Sequence, residues 1–157
     1  MLWGYQSTHP FALDVAIAEA TYANIPVVVA AGNQDSDACW FSPSRAEYAI
    51  TVGATNWLTI APFSNYGKCV DIFAHGIDVL STDINCESCL FTKSGTSSAA
   101  AQVAGVAAIY LARNLDHSEQ QVKDYILDHN AQNGFLDLNG NPETPNKLLH
   151  ESCQFVS

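Results

Sequence analysis

The sequence predicts an α/β fold in which helices flank a largely parallel sheet, and three observations carry that expectation. Short apolar, β-branched runs without alternation, at 25–31, 49–54 and 70–73, read as strands covered on both faces. Helical periodicity surrounds them, over 11–23, through the Ala-rich stretch that follows Ser97, and over 118–129. With 48% hydrophobic and 14% charged residues, the 157-residue chain has ample apolar supply for one core.

The elements follow in order. Pro10 suits a first helical turn, and Phe11, Val15, Ala18 and Tyr22 recur in three- and four-residue steps up to Asn24. The strand at 25–31 stops at the turn pair Gly32-Asn33. The runs at 49–54 and 70–73 give a second and a third strand, 78–81 a fourth, and a short hairpin is expected between 85 and 94. The Ala-rich segment to about Arg113 reads as a helix buried in protein. Gln102 and Gly105 interrupt its apolar surface, and the longest unbroken apolar run (25–31) falls far short of the roughly 20 residues of a membrane span. Ser118 is a good N-cap for the last helix, with Gln121 completing a capping box. The remainder, rich in Asn, Gly and Pro, is expected to be surface coil. No repeat or linker divides the chain.

Six Lys plus Arg against sixteen Asp plus Glu leave a net charge of −10. That balance gives no electrostatic footprint for nucleic acid or an anionic membrane, so neither is expected as a partner. Five cysteines stand at Cys39, Cys69, Cys86, Cys89 and Cys153. One or two disulfides with a thiol left over is the simple reading, and it points to an oxidising compartment, secreted or within the secretory pathway. The opening Met1-Leu2-Trp3-Gly4-Tyr5 lacks the basic head and apolar stretch of a secretory signal. Cys86-Glu87-Ser88-Cys89 has redox spacing, but not the strand-then-helix context that depresses a thiol pKa. A tight local bridge or two free thiols fits the hairpin better.

Chemistry concentrates in Ser94-Gly95-Thr96-Ser97-Ser98-Ala99-Ala100-Ala101-Gln102-Val103-Ala104-Gly105. A serine stands where a helix begins, and the small residues after it let the helix pass through a crowded core. The first turn offers backbone N–H groups and the positive end of the dipole to an oxyanion forming beside the Ser97 hydroxyl. Taken alone, Ser97 reads more readily as an N-cap before a buried helix. Asn33, at the end of a buried strand, places an amide donor where parallel sheets bind ligands. Taken alone, it is an ordinary turn residue.

Together these stretches resemble the subtilisin-like serine proteases, the subtilases, and within them the proteinase K group. The matching segments are Ile25-Pro26-Val27-Val28-Val29-Ala30-Ala31-Gly32-Asn33, then Phe41-Ser42-Pro43 with Ile50-Thr51-Val52-Gly53-Ala54. They continue with Phe63-Ser64-Asn65-Tyr66-Gly67 and Val70-Asp71-Ile72-Phe73-Ala74, then Gly95-Thr96-Ser97 with Val103-Ala104-Gly105, and Thr144-Pro145-Asn146-Lys147-Leu148-Leu149. The resemblance implies the C-terminal portion of a subtilisin-like three-layer fold, 1–157 forming part of one peptidase domain. It implies a serine endopeptidase with Ser97 as nucleophile and an oxyanion hole made by the Asn33 amide and the Ser97 N–H. Leu2, Trp3, Gly4, Ala31 and Gly32 would line one wall of the substrate cleft, and Lys93, Ser94 and Gly95 the other. The implied partners are a protein or peptide substrate and an N-terminal propeptide, with no cofactor for catalysis.

In the family the triad runs Asp, His, Ser, so the resemblance places the Asp and His upstream of Met1. None of His9, His75, His117, His129 and His150 sits in the family's His context, and Ser97 without a base is a poor nucleophile. This chain alone is therefore expected to be nearly inert. Trp3, Ser98, Ala101 and Gln102 depart from the family's usual residues and motivate a competing reading, a non-catalytic module that binds a protein through the old cleft. In the proteinase K group, an aspartate matching Asp71 binds calcium with two carbonyls, here those of Glu47 and Ala49. The alternative is an aspartate capping a turn. If the strands near Cys39 and Cys69 are neighbours, a bridge between those cysteines closes a loop of about 30 residues and contributes on the order of 3–4 kcal/mol. Cys153 has no clear partner.

Overall fold

A computed structural model describes residues 5–6, 12–84, 86, 88–134, 136–138, 140–141 and 143–150. Leu2, Trp3, Gly4, His9 and Cys153 lie outside them. Strand β1 (Tyr5–Gln6) pairs antiparallel with β3 (Phe41–Ser42). Helix α1 (Ala12–Tyr22) buries Ile17 and Thr21 and packs Leu13 beneath them. The expected stripe is not the one used, since Val15 and Tyr22 are 53% and 78% exposed. Helix α1 is apolar nearly all round, so two stripes at helical spacing compete, and the one facing Val29 and Ala49 wins. Asp14 fastens α1 to the next segment by accepting from Ser42 Oγ and pairing with Arg45 Nε and Nη2 at 3.0 and 2.9 Å.

The main sheet comprises β2 (Val28–Ala30), β4 (Ile50–Thr55), β5 (Ile72–His75), β8 (Ala131–Asn133) and β9 (Lys147–Leu149), in the order β2-β4-β5-β9-β8. The first three pairings are parallel and β9–β8 is antiparallel. Every residue of β4 is buried, which is why its sequence runs apolar without alternation. Ile50, Val52, Ala54, Ile72 and Ala74 face α2 (Thr96–Arg113) and α3 (Glu119–Asp128) through Ala99, Ala100, Val103, Val122 and Ile126. On the other face Phe73 and Leu148 pack with Ala31, Ile60, Val70 and Leu136. Helices α2 and α3 thus cover one face, while the other is covered by loop residues and, at Val29, by α1.

Two expectations need correction. The run near 79 is not a buried strand of the main sheet. As β6 (Val79–Thr82) it pairs antiparallel with β7 (Leu90–Lys93) in a separate, largely exposed hairpin, because its neighbours in space leave it no second face to bury. The C-terminal region is not all coil: β8 and β9 each contribute three residues to the main sheet, anchored by buried Leu148. The capping box at Ser118 and Gln121 forms as expected. Helix α2 is buried along one side only, with Ala101, Ala104, Gly105, Ala108 and Ile109 exposed.

Cys39 and Cys69 are bridged, with α-carbons 5.3 Å apart and a sequence separation of 30, and Asp37 caps the turn that carries Cys39. Cys86 and Cys89 also form a disulfide, at the tip of the β6–β7 hairpin.

Candidate active site

Strands β2, β4 and β5 run parallel, so their carboxyl ends open on one edge of the sheet, and the N-terminus of α2 is bound there. Gly95 N–H donates to Gly76 O, just past β5, at 2.8 Å. Gly32 N–H, just past β2, donates to Thr96 Oγ1 at 3.2 Å. The Thr96 hydroxyl in turn donates to Asn33 Oδ1 at 2.8 Å, and Thr96 N–H donates to the same oxygen at 2.9 Å. Two donors on one amide oxygen fix which way the Asn33 side chain faces and turn its NH₂ group toward Gly95.

Gly95 itself has φ +153°, a conformation that favours glycine. A side-chain carbon placed there would lie 3.4 Å from Asn33 Nδ2 and 3.8 Å from Ser97 N. The space that glycine leaves empty is therefore bordered by both groups expected to make an oxyanion hole. Asn33 is exposed, Ser97 half-buried, and Gly95 and Thr96 buried.

Asn65, fully buried, holds the turn after β2. Its Oδ1 accepts from Gln34 N–H and Ser36 N–H at 3.0 and 3.2 Å, and its Nδ2 donates to Ala31 O at 2.8 Å. Asn65 N–H donates to Gly32 O at 2.9 Å. The polar backbone groups of Ala31 and Gly32 are thus bound from within. Ala31 is fully buried, and of the pair only Gly32 is partly open. On the opposite side, Ser94 Oγ accepts from Asp78 N–H at 2.9 Å, fastening β7 to the start of β6. A groove of about 360 Å³ runs from Ser97 and Ser98 between Ala101 and the hairpin residues Val79, Phe91 and Lys93.

Sequence reasoning assigned no role to Thr96 or Asn65, and of the hairpin wall it named Lys93 but not Val79 or Phe91. Thr96 and Asn65 do fall within the matched stretches, but their bonds reach residues 29–64 positions away, which no local pattern reveals. Three of the four described histidines make side-chain contacts elsewhere. His117 Nδ1 is 2.6 Å from Tyr110 Oη, His129 stacks on Tyr125, and His75 stacks on Trp57 at 4.4 Å.

The expected calcium ligands do converge, but around a side chain. Lys123 Nζ donates to Ala49 O at 2.7 Å and to Glu47 O at 3.3 Å, and lies 3.3 Å from Asp71 Oδ1. With an ammonium among them, these oxygens do not fit a metal ion as well. The expectation omitted Lys123 because α3 lies over 50 residues beyond Asp71 in sequence.

A model of the Subtilase family matches residues 2–147. The chain belongs to the subtilase family. Among relatives of this subtilase, Subtilisin-like protease 3 of Saccharomyces cerevisiae is 37% identical over 154 residues, covering 92% of this chain and 32% of its own. The Extracellular serine proteinase of a Thermus species is 42% identical over 140 residues, 88% of this chain and 34% of its own. The solved structure of a cold adapted subtilisin-like serine proteinase superposes with a TM-score of 0.84 at 36% identity, over 94% of this chain and 52% of that one. The subtilase chain described here therefore spans about a third of these curated relatives and about half of that structure. Its α/β fold is subtilisin-like.

Proposed function

We propose that this chain is the nucleophile-bearing part of a secreted subtilisin-like serine endopeptidase. The observation that carries the reading is the empty position at Gly95, bordered by Asn33 Nδ2 at 3.4 Å and Ser97 N at 3.8 Å. Donors aimed at one point stabilise charge that develops there, and they need no reorganisation during reaction. Ser97 Oγ attacks a peptide carbonyl and its proton passes to a histidine base contributed by the rest of the protein. The carbonyl oxygen, now negative, accepts from Asn33 Nδ2 and Ser97 N–H. The C–N bond then breaks as the leaving amine takes that proton, and water hydrolyses the Ser97 ester. A protein or peptide substrate lies along the groove that Lys93 and Phe91 border. Two disulfides and the extracellular Thermus relative support secretion.

A fluorophosphonate probe that reacts with activated serines tests this on the full-length protein. Labelling that disappears in Ser97→Ala is the expected result. A folded protein that takes no label would overturn the enzyme reading and leave a binding module built on the same cleft.

A further inference from the structure

We propose that the Lys123 ammonium is the resident cation of the site formed by Glu47 O, Ala49 O and Asp71, in place of a metal ion, so that this region of the fold needs no calcium. The three oxygens come from two separate stretches of chain and meet on one nitrogen, at 3.3, 2.7 and 3.3 Å. An ammonium has three donors and no acceptor, which matches three acceptors. The donor set contributes a single carboxylate, and one positive charge balances it. Calcium takes six to eight oxygens at about 2.3–2.6 Å. Drawn that close to these same atoms, it would stand where Nζ stands, so the two cations exclude each other.

The lysine is held in place rather than merely near. Its neighbours Val122 and Ile126 are fully buried on α3, the helix is capped by Ser118, and the Lys123 side chain is only 15% exposed. Asp71 is oriented as well, since its Oδ2 accepts from Thr51 N–H at 2.8 Å. Glu119, one turn before Lys123, is raised in pKa chiefly by burial while the ammonium opposes that rise, so the charge is felt on its own helix. A tethered cation also differs from a bound one: it has no free concentration, and a chelator removes nothing.

The test is thermal unfolding of the full-length protein in excess EDTA and in millimolar calcium, for wild type, Asp71→Asn, Lys123→Met and the double variant. Comparing variants separates this site from any other calcium site in the protein. The calcium-induced rise in Tm is expected to be equal in wild type and Asp71→Asn. Lys123→Met keeps the apolar stem and empties the cation position. It is expected to melt several degrees lower in EDTA and to gain an extra calcium-dependent rise that the double variant lacks. Terbium luminescence should likewise show one more site in Lys123→Met than in wild type. A calcium response of wild type that Asp71→Asn abolishes would overturn the proposal, because metal would then be displacing the lysine. So would a folded Lys123→Met that gains no response. Should Lys123→Met fail to fold, wild type against Asp71→Asn decides the matter alone. None of these readouts depends on Ser97, so they stand apart from the test of the enzyme reading.

Discussion

At the scale of single residues, Thr96 does more for the site than its hydroxyl suggests. It accepts from Gly32 N–H and donates to Asn33 Oδ1, so one side chain sets both the turn after β2 and the direction of the amide. Thr96→Val keeps the shape and removes both bonds, leaving a buried N–H unpaired at a cost of about 1–3 kcal/mol. Turnover in a peptide-ester assay should fall roughly 10-fold while KM stays near its starting value, because the loss is felt mainly when the oxyanion forms. Equal loss in KM instead would mean that the hydroxyl acts on substrate binding. Ser97 and Asn33 were legible from sequence because chemistry restricts their residue types and the matched stretches place them. Thr96 and Asn65 were not, since a polar residue that serves by orienting another looks like any loop residue until its partners are known.

At the scale of elements, β4 and β5 are held in register by an exchange of size. Gly53 stands opposite Phe73, and a β-carbon there would come within 2.3 Å of the ring. Gly53→Ala forces the ring out of a fully buried place and should cost about 1–3 kcal/mol, seen as a Tm several degrees lower. Adding Phe73→Leu should recover part of that loss, since the two changes share one contact. An additive double variant would show that the strain lies elsewhere. The elements with long apolar runs or helical periodicity, β2, β4, β5, α2 and α3, were readable in advance. The short strands β8 and β9 were not. Three residues such as Ala131-Gln132-Asn133 bury almost nothing of themselves, and only pairing, of β9 with β5 and of β8 with β9, makes them strands. The α1 face was misread for the opposite reason, because too many of its residues are apolar to mark a single stripe.

At the scale of the whole molecule, among the described residues β2 forms one edge of the sheet and the outer side of α2 lies open, with Ile109 48% and Trp57 50% exposed beside a cavity of about 460 Å³. An uncovered edge strand and an apolar helix face both favour association. The 157-residue chain made alone should therefore elute above monomer size, with light scattering that grows with concentration. A monomer with a sharp, reversible melt would refute that expectation. Fold class and layer order were legible at this scale, because buried strands and interleaved helices admit few arrangements. Of the cation site the three oxygens were expected and Lys123 was not, for it comes from a distant helix. One further consequence concerns timing. The amide of Asn33 takes its direction from Thr96, 63 residues later in the chain, so the two must meet before the hydroxyl of Ser97 has anything beside it to receive charge. Closing so long a loop belongs to the last part of folding rather than the first. A nascent or half-folded copy thus carries every group the proposed chemistry uses from this chain and yet stays silent. Under the proposed function, its contribution to hydrolysis arrives only with its completed topology.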